Sequence, residues 1–582
     1  MNSVKKILKI LIPIIVLILL GILILVLKKT SKEEVETNKK YIASEIKYAV
    51  LYDLEYKNPI KINRGEEVIV YNFKEKKEVA LYNLEYKDSI RVSKIEELNF
   101  KENNIYVKIK YNNEFYLIKE NNLTDKKEDI IKEKELYVRT NLTLYKNLDS
   151  SKILSHIKKG EKLEIIGYDK IEDGLVNKYK IRYNGLEGYV YGKYLVSTKK
   201  ESLKVYNKNG IQEYMAKMGN SLGGGTATNL DYYPYEKANF KDNKMPSEVR
   251  SLYINSDAVK NIDEYINFAK ENNINAFVID IKDNTSPAYN SPVMKKYSPT
   301  NYSKALNNYK SYKSYIKKAI DAKIYVIGRI TVFKDSYFVN DHIEVAIKNS
   351  NGDAFSHNGS YWPSAYNRYV WEFNVELAKE AVAEIGFNEI QFDYVRFPDR
   401  TTKLERQGVI NLENIYNEEK AEALQSFVMY ACDEIHEVGA YVSIDVFGES
   451  ASNYVTAYGQ FWPAISNVAD VISGMPYPDH FNPHDYDIKE VVWTVPYKLL
   501  NEWSKYVVSK QKVIPTPAIV RTWIQTYNTT KSPSVIYNDE KISEQIEALY
   551  DNGLKGGYMT WNSSSNLVKY KEVSYAFRKV YE

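Results

Sequence analysis

From Arg250 to the C-terminus the chain alternates short apolar runs with amphipathic stretches, and no other feature narrows its folds so far. Candidate strands are Ser251–Asn255, Ala276–Asp283, Tyr325–Phe333, Glu389–Phe397, Tyr441–Phe447, Asp470–Tyr477, Val513–Val520 and Gly557–Asn562. Helical patterns between them include Ile262–Glu271, Tyr312–Ala322, Val375–Ile385, Glu422–Val438, Tyr497–Ser509 and Ser543–Leu549. Eight strands with intervening helices predict an α/β fold, a (β/α)8 barrel over residues 248–582. An open doubly wound sheet is the alternative. It usually brings a glycine-rich nucleotide fingerprint, and none follows the first strand.

Successive strand side chains face opposite sides. In Asn388–Pro398, Ile390 and Phe392 share one parity while Gln391 and Asp393 share the other. A carboxylate at the C-terminal end of a barrel strand sits where such folds keep their chemistry. The bland alternative is an Asp that caps the next helix or pairs with Arg396. Other strands follow suit. Asp280 and Lys282 oppose Phe277, Ile279 and Ile281; Arg329 and Thr331 oppose Val326 and Ile330. Ser443, Asp445 and Phe447 oppose Val442, Ile444 and Val446, and Glu449 continues their parity. Buried charges are costly unless paired. Asp280, Lys282, Arg329, Asp393, Asp445 and Glu449 are therefore expected to converge as one paired polar site. A purely structural network is the competing reading.

Lys+Arg exceeds Asp+Glu by only four, 80 against 76, which speaks against a nucleic-acid partner. The 53 tyrosines fit sugar-stacking surfaces or simple compositional bias. The single cysteine, Cys432, rules out a disulfide framework within one chain and reads as a core thiol. Ile10–Leu27 is uncharged and is flanked by lysines on both sides. It is long enough to span a bilayer and has no small-residue cleavage site, so residues 1–29 read as a transmembrane signal anchor. The expected localisation is the bacterial cell membrane, single-pass, with the bulk of the chain outside.

Residues 30–44 read as a charged tether. Leu51–Lys57 recurs as Leu81–Lys87, and both copies alternate in strand fashion. Tyr179–Gly185 followed by Gly188–Val190 reads as a hairpin with an Asn-Gly turn. Residues 133–198 resemble the bacterial SH3-like domains of cell-wall proteins, and 45–125 resembles a degenerate copy. Such modules bind wall material or act as spacers. Residues 199–247, with Gly223-Gly224-Gly225, read as a flexible linker; the glycines lack the strand–GxxxxGK[ST]–helix order of a phosphate loop.

The runs Ile279–Asp283, Gln391–Pro398 and Ser443–Gly448, with Gly474–Pro478 and Gly557–Trp561, resemble a family of bacterial glycosyl hydrolase-like TIM-barrel proteins marked by an FDYxRFP segment. The resemblance spans about residues 248–575 and implies a glycosidase-like barrel. Glycoside hydrolysis usually needs two carboxyl groups, one ionised and one protonated. Asp393 is the candidate ionised partner, held by Arg329 or Arg396; Glu449 and Asp445 compete as proton donor. A nucleophile on strand four and an acid on strand five is similar to alpha-amylase-type barrels. Gln391, however, stands where that group has Arg, and Thr516-Pro517-Ala518 stands where it has Asn-His-Asp. The chitinase-type Asp-x-x-Asp-x-Asp-x-Glu pattern is absent too. Asp280, Lys282, Arg329 and Arg396 are candidate substrate contacts. Tyr394, Trp371, Tyr477 and Trp561 are candidate sugar platforms or plain core.

Asp479-His480 with His484-Asp485 offers a metal alternative, but Asn482-Pro483 breaks the helix that would align them. No metal and no cofactor are expected. The leading expectation is an anchored, outward-facing glycoside hydrolase acting on a polysaccharide or peptidoglycan-type glycan. A non-catalytic carbohydrate-binding or wall-attachment protein is the alternative. A scaffold whose SH3-like modules hold a protein partner is the third. The sequence leaves the oligomeric state open.

Overall fold

The computed structural model describes residues 133–581 apart from 149–150, 173–174, 208–209 and 217–221, and short strand segments between 39 and 124. The expected anchor at 1–29, nearly all of the tether and most of the 45–125 module lie outside the described residues. No helix among the described residues is long and apolar enough to cross a membrane.

The chain divides into two compact units. The first comprises Met1–Leu136, Lys162–Glu187 and Tyr191–Lys193. Its described parts are antiparallel. Tyr106–Tyr111 pairs with Glu114–Lys119, and Lys162–Tyr168 pairs with Lys178–Tyr183. Asn184 and Gly185 both take positive φ, as the type I′ turn of an Asn-Gly hairpin requires.

The second unit comprises Tyr137–Glu161, Gly188–Val190 and Tyr194–Glu582. Its core is a nearly closed parallel sheet. The strands are β1 (Val249–Ile254), β2 (Ala276–Asp283), β3 (Tyr325–Thr331), β4 (Glu389–Asp393), β5 (Tyr441–Phe447), β6 (Val471–Met475), β7 (Ile519–Val520 and Thr522–Gln525) and β8 (Gly557–Trp561). They pair in sequence order, and β8 returns to β1. The first piece of β7 pairs with β6 and the second with β8, with Arg521 at the break. The helices following the strands are α1 (Ile262–Glu271), α2 (Tyr309–Asp321), α3 (Arg368–Glu380), α4 (Lys420–Glu437), α5 (Trp462–Ser466), α6 (Pro496–Gln511), α7 (Asp539–Asp551) and α8 (Leu567–Glu572). α1 shows why they dock: Ile262, Tyr265, Ile266 and Phe268 are buried at helical spacing. Gly557 permits closure. It has φ +102°, and a Cβ there would lie 1.9 Å from the Val249 carbonyl oxygen.

Two expectations shift. Strand seven lies later than Val513–Val520, because Pro515 and Pro517 have no N–H for the ladder and 513–518 serves as the approach from α6. The described part of the supposed linker is packed rather than flexible. Ile211, Met215, Ala227, Leu230 and Tyr232 form a buried cluster with Ala421, Val455, Phe461 and Ala464. Gly224 lies so close to the Thr456 carbonyl that a Cβ would meet it at 1.8 Å, and its own carbonyl accepts from Ala421 N–H. The Leu142–Tyr145/Ile153–Ile157 hairpin docks on α3 and α4. There the Ser151 hydroxyl donates to Glu434 at 2.6 Å and the Ile153 N–H to Glu372 at 2.6 Å.

Candidate active site

The barrel interior is filled by polar layers. Nearest the N-terminal ends of the strands, Glu389 accepts from Arg521 at 2.6 Å and from the Tyr325 hydroxyl at 3.0 Å. Above it, Gln391 Nε2 donates to Ser473 Oγ and Met559 Sδ, both at 3.3 Å. Arg329 holds the layer at the C-terminal ends. Its Nε and Nη2 donate to Asp393 Oδ2 at 3.1 and 2.6 Å, and its Nη1 donates to Asp280 Oδ1 at 2.8 Å. The Tyr253 hydroxyl donates to Asp280 Oδ2 at 2.6 Å. Trp523 Nε1 donates to Asp445 Oδ1 at 2.8 Å, while Asp445 Oδ2 accepts no hydrogen bond among the described residues.

Asp393 is fixed at both oxygens. Oδ1 accepts the N–H of Tyr394 at 2.6 Å, with Tyr394 at φ +53°. A left-handed bulky residue is uncommon and costs of order 1–3 kcal/mol. Here the conformation turns the chain sharply after β4 and leaves the Asp393 carboxylate with three donors. The charges around it are sorted by environment. Burial pushes Asp280 up to about 6, with Arg329 and the Tyr253 hydroxyl opposing. Burial also drives Asp445 well above the usual carboxylate range, and the charge of Asp393 adds to that rise. Asp283 goes the other way. Burial raises it, but Arg329, the Asn284 N–H and the Thr331 hydroxyl outweigh burial and hold it below the usual range.

Asp280, Arg329, Asp393 and Asp445 are thus brought together, as the shared parity predicts. Lys282 is not. A register shift between Asp280 and Lys282 turns it off the mouth, fully buried. There it donates to Asp335 at 2.6 Å and to the Thr331 carbonyl at 2.5 Å, 5.4 Å from the Phe373 ring. The bulge gives its place beside Arg329 to Asp283, 3.9 Å away. Arg396 is set away from Asp393. It pairs with Asp399 at 3.2 Å and stacks among Phe447, Tyr394 and Trp362. Tyr394 packs beside Trp362, Ile347 and Ile410 in the lobe built by the long loops after β3 and β4. Trp371 is fully buried, bonded to the Ala365 carbonyl.

Tyr477 is buried against Trp561, rings 6.3 Å apart and stacked. Tyr253 and Trp523 flank Trp561 at 4.6 and 5.6 Å, and the Arg329 guanidinium lies 5.5 Å from its ring. Of these four aromatic rings Trp561 alone is partly exposed. Glu449 is exposed in a short turn after β5 and accepts from the Tyr458 hydroxyl at 2.9 Å and the Tyr454 hydroxyl at 3.1 Å. It lines an open cavity of about 700 Å³ together with Phe447, Met475, Asp479 and the loops after β4, β6 and β7. Asp479 accepts from Tyr527 and Thr530 there. Among the described residues no group of three or more His, Cys, Asp and Glu is arranged to hold a metal ion.

Tyr253, Asp283 and Trp523 belong to the site but escape the sequence reading. Trp523 was recoverable, because Arg521, Trp523 and Gln525 share one parity, opposite Val520 and Ile524, once strand seven is placed correctly.

A family model described as "Putative glycosyl hydrolase domain" matches residues 251–567, more than half of the chain. The chain belongs to this family. No curated protein matches it. A hypothetical protein from Ruminiclostridium thermocellum ATCC 27405 is 32% identical over 34% of this chain and 97% of its own, with TM-score 0.28. The glycoside hydrolase domain of PgaB (BpsB) from Bordetella bronchiseptica is 12% identical over 57% of this chain and 98% of its own, with TM-score 0.41. A GH20 exo beta-N-acetylglucosaminidase from Vibrio harveyi is 10% identical over 57% of this chain and 54% of its own, with TM-score 0.38. The glycosyl hydrolase match covers all eight barrel strands but for the first two residues of β1.

Proposed function

We propose that the barrel hydrolyses glycosidic bonds of a cell-wall or surface polysaccharide, with Asp393 as the ionised carboxylate and Asp445 as the proton donor. The observation that carries this reading is the environment of Asp445. Its carboxyl is buried, raised by that burial and by Asp393, and has one oxygen free of protein donors. A carboxyl group pushed towards its protonated form beside one paired with a cation is the arrangement that acid catalysis at a glycosidic oxygen needs. Arg329 supplies the counter-charge for Asp393. Asp393 and Asp445 follow the paired residues Phe392 and Ile444 on adjacent strands.

In this reading Glu449, at the open cavity and anchored by two tyrosine hydroxyls, contacts sugar rather than donating the proton. Trp561, the partly exposed ring of the cluster, serves as a platform. Ile10–Leu27 tethers the barrel to the membrane with the mouth outside, and the antiparallel modules at 45–125 and 133–198 are SH3-like spacers or wall-binding units. Purified wall glycans incubated with the full-length protein are expected to release reducing ends. Asp393→Asn and Asp445→Asn are expected to stop release with the fold intact, and Glu449→Gln to raise KM more than it lowers kcat.

A second reading has one observation in its favour. Asp393 and Asp445 are only 6% and 1% exposed, and neither is among the residues that line the open cavity. A non-catalytic glycan-binding barrel accounts for that too. It requires saturable binding with no reducing ends from any glycan.

A further inference from the structure

The cavity beside Glu449 has unevenly used charges. Its three carboxylates are all engaged by the protein. Asp399 is paired with Arg396 at 3.2 Å, Glu449 accepts from two tyrosine hydroxyls, and Asp479 accepts from Tyr527 and Thr530. Its cations are far less engaged. Lys403 has no side-chain partner among the described residues. The Arg400 side chain is 92% exposed, with only a 3.9 Å approach to Asp399. Lys531 spends one N–H on the Phe481 carbonyl at 2.8 Å and rests 5.1 Å from the Trp493 ring. Arg400 and Lys403 come from the loop after β4 and Lys531 from the loop after β7, so they line one cavity from different strand ends. Carboxylates that already hold donors compete weakly for ligand, whereas cations with spare N–H groups are available for it.

We propose that the glycan occupying this cavity carries anionic substituents, carboxylate or phosphate, seated against Arg400, Lys403 and Lys531. The proposal rests on the glycan-cleaving reading for its ligand class and deepens it to acidic polysaccharides. It does not depend on turnover. Glycan binding focused by a lined cleft is expected to weaken with salt.

The test is calorimetric titration of the full-length protein with four probes: oligogalacturonides, a phosphate-substituted oligosaccharide, neutral N-acetylglucosamine oligomers and their de-N-acetylated cationic forms. Tighter binding of either anionic probe than of the neutral one, by about tenfold and reduced at high salt, is expected. The carboxylate and phosphate arms separate the two sources of charge. Lys403→Gln with Lys531→Gln is expected to remove that advantage while neutral binding is retained. Equal or stronger binding of the neutral or cationic oligomers, or an unchanged anionic affinity in the double variant, overturns the proposal. Anionic binding without release of reducing ends would leave it standing and count against hydrolysis alone.

Discussion

Arg329 carries the barrel mouth, and Arg329→Met tests that directly. The guanidinium is 2% exposed and is the ion-pair partner of both Asp280 and Asp393. Removing one member of a buried ion pair leaves its partner charged and unsolvated, at about 3–5 kcal/mol. The stranded carboxyls can escape that penalty only by taking up protons. Protonating a carboxyl whose ordinary pKa is about 3.9 costs about 1.4 kcal/mol for each pH unit above that value, so about 4 kcal/mol at pH 7 and about 1.5 at pH 5. Asp280 is already raised to about 6 with Arg329 present, so it adds little to the difference from wild type. Asp393 loses the counter-charge that pairs with it at 2.6 Å. A carboxyl raised in the folded state contributes stability below its unfolded pKa and loses it as pH rises towards the folded one. The deficit of the variant is therefore expected to be about 3–5 kcal/mol at pH 7 and to shrink to about 1–2 at pH 5. All seven tryptophans lie between residues 362 and 561, so tryptophan fluorescence in urea reports the barrel specifically. A pH-independent deficit, or one below about 1 kcal/mol at pH 7, would refute the reasoning, because Arg329 would then not be neutralising buried charge.

Other outcomes follow from the same geometry. Trp523→Phe removes the N–H that favours ionised Asp445, so the alkaline limb of kcat/KM is expected to move to higher pH, and an unmoved limb would detach Trp523 from the acid. Gly224→Val places a branched side chain against the Thr456 carbonyl; a urea midpoint lowered by at least about 2 kcal/mol equivalent is expected, and an unchanged one would mean the 222–232 segment is not packed as described.

The alternation of strand and helix patterns was enough to place seven of the eight strands near their observed positions, because helices outside and a polar interior impose period two on Val, Ile and Phe. The seventh slipped where two prolines sit among apolar residues, since hydrophobicity does not register a missing N–H. The convergence of Asp280, Arg329, Asp393 and Asp445 followed from parity alone. Lys282 did not, because a single inserted residue inverts parity and leaves no mark in composition. Packing of Ile211, Met215, Ala227, Leu230 and Tyr232 was hidden for another reason. They are too sparse for a periodic pattern, and they meet partners some 200 positions away in α4 and its neighbours. What raises Asp445 is burial and the neighbouring Asp393 on another strand, neither of which its own strand's sequence contains.

Asp393 and Asp445 are proposed as the working carboxyl pair. The most direct measurement of that pairing is the rate of reducing-end release from a purified acidic wall glycan by wild type, Asp393→Asn and Asp445→Asn, each verified as folded by tryptophan fluorescence. Release by wild type with a loss of at least about a thousandfold in both variants is the expected result. Release by either variant at the wild-type rate would contradict the account.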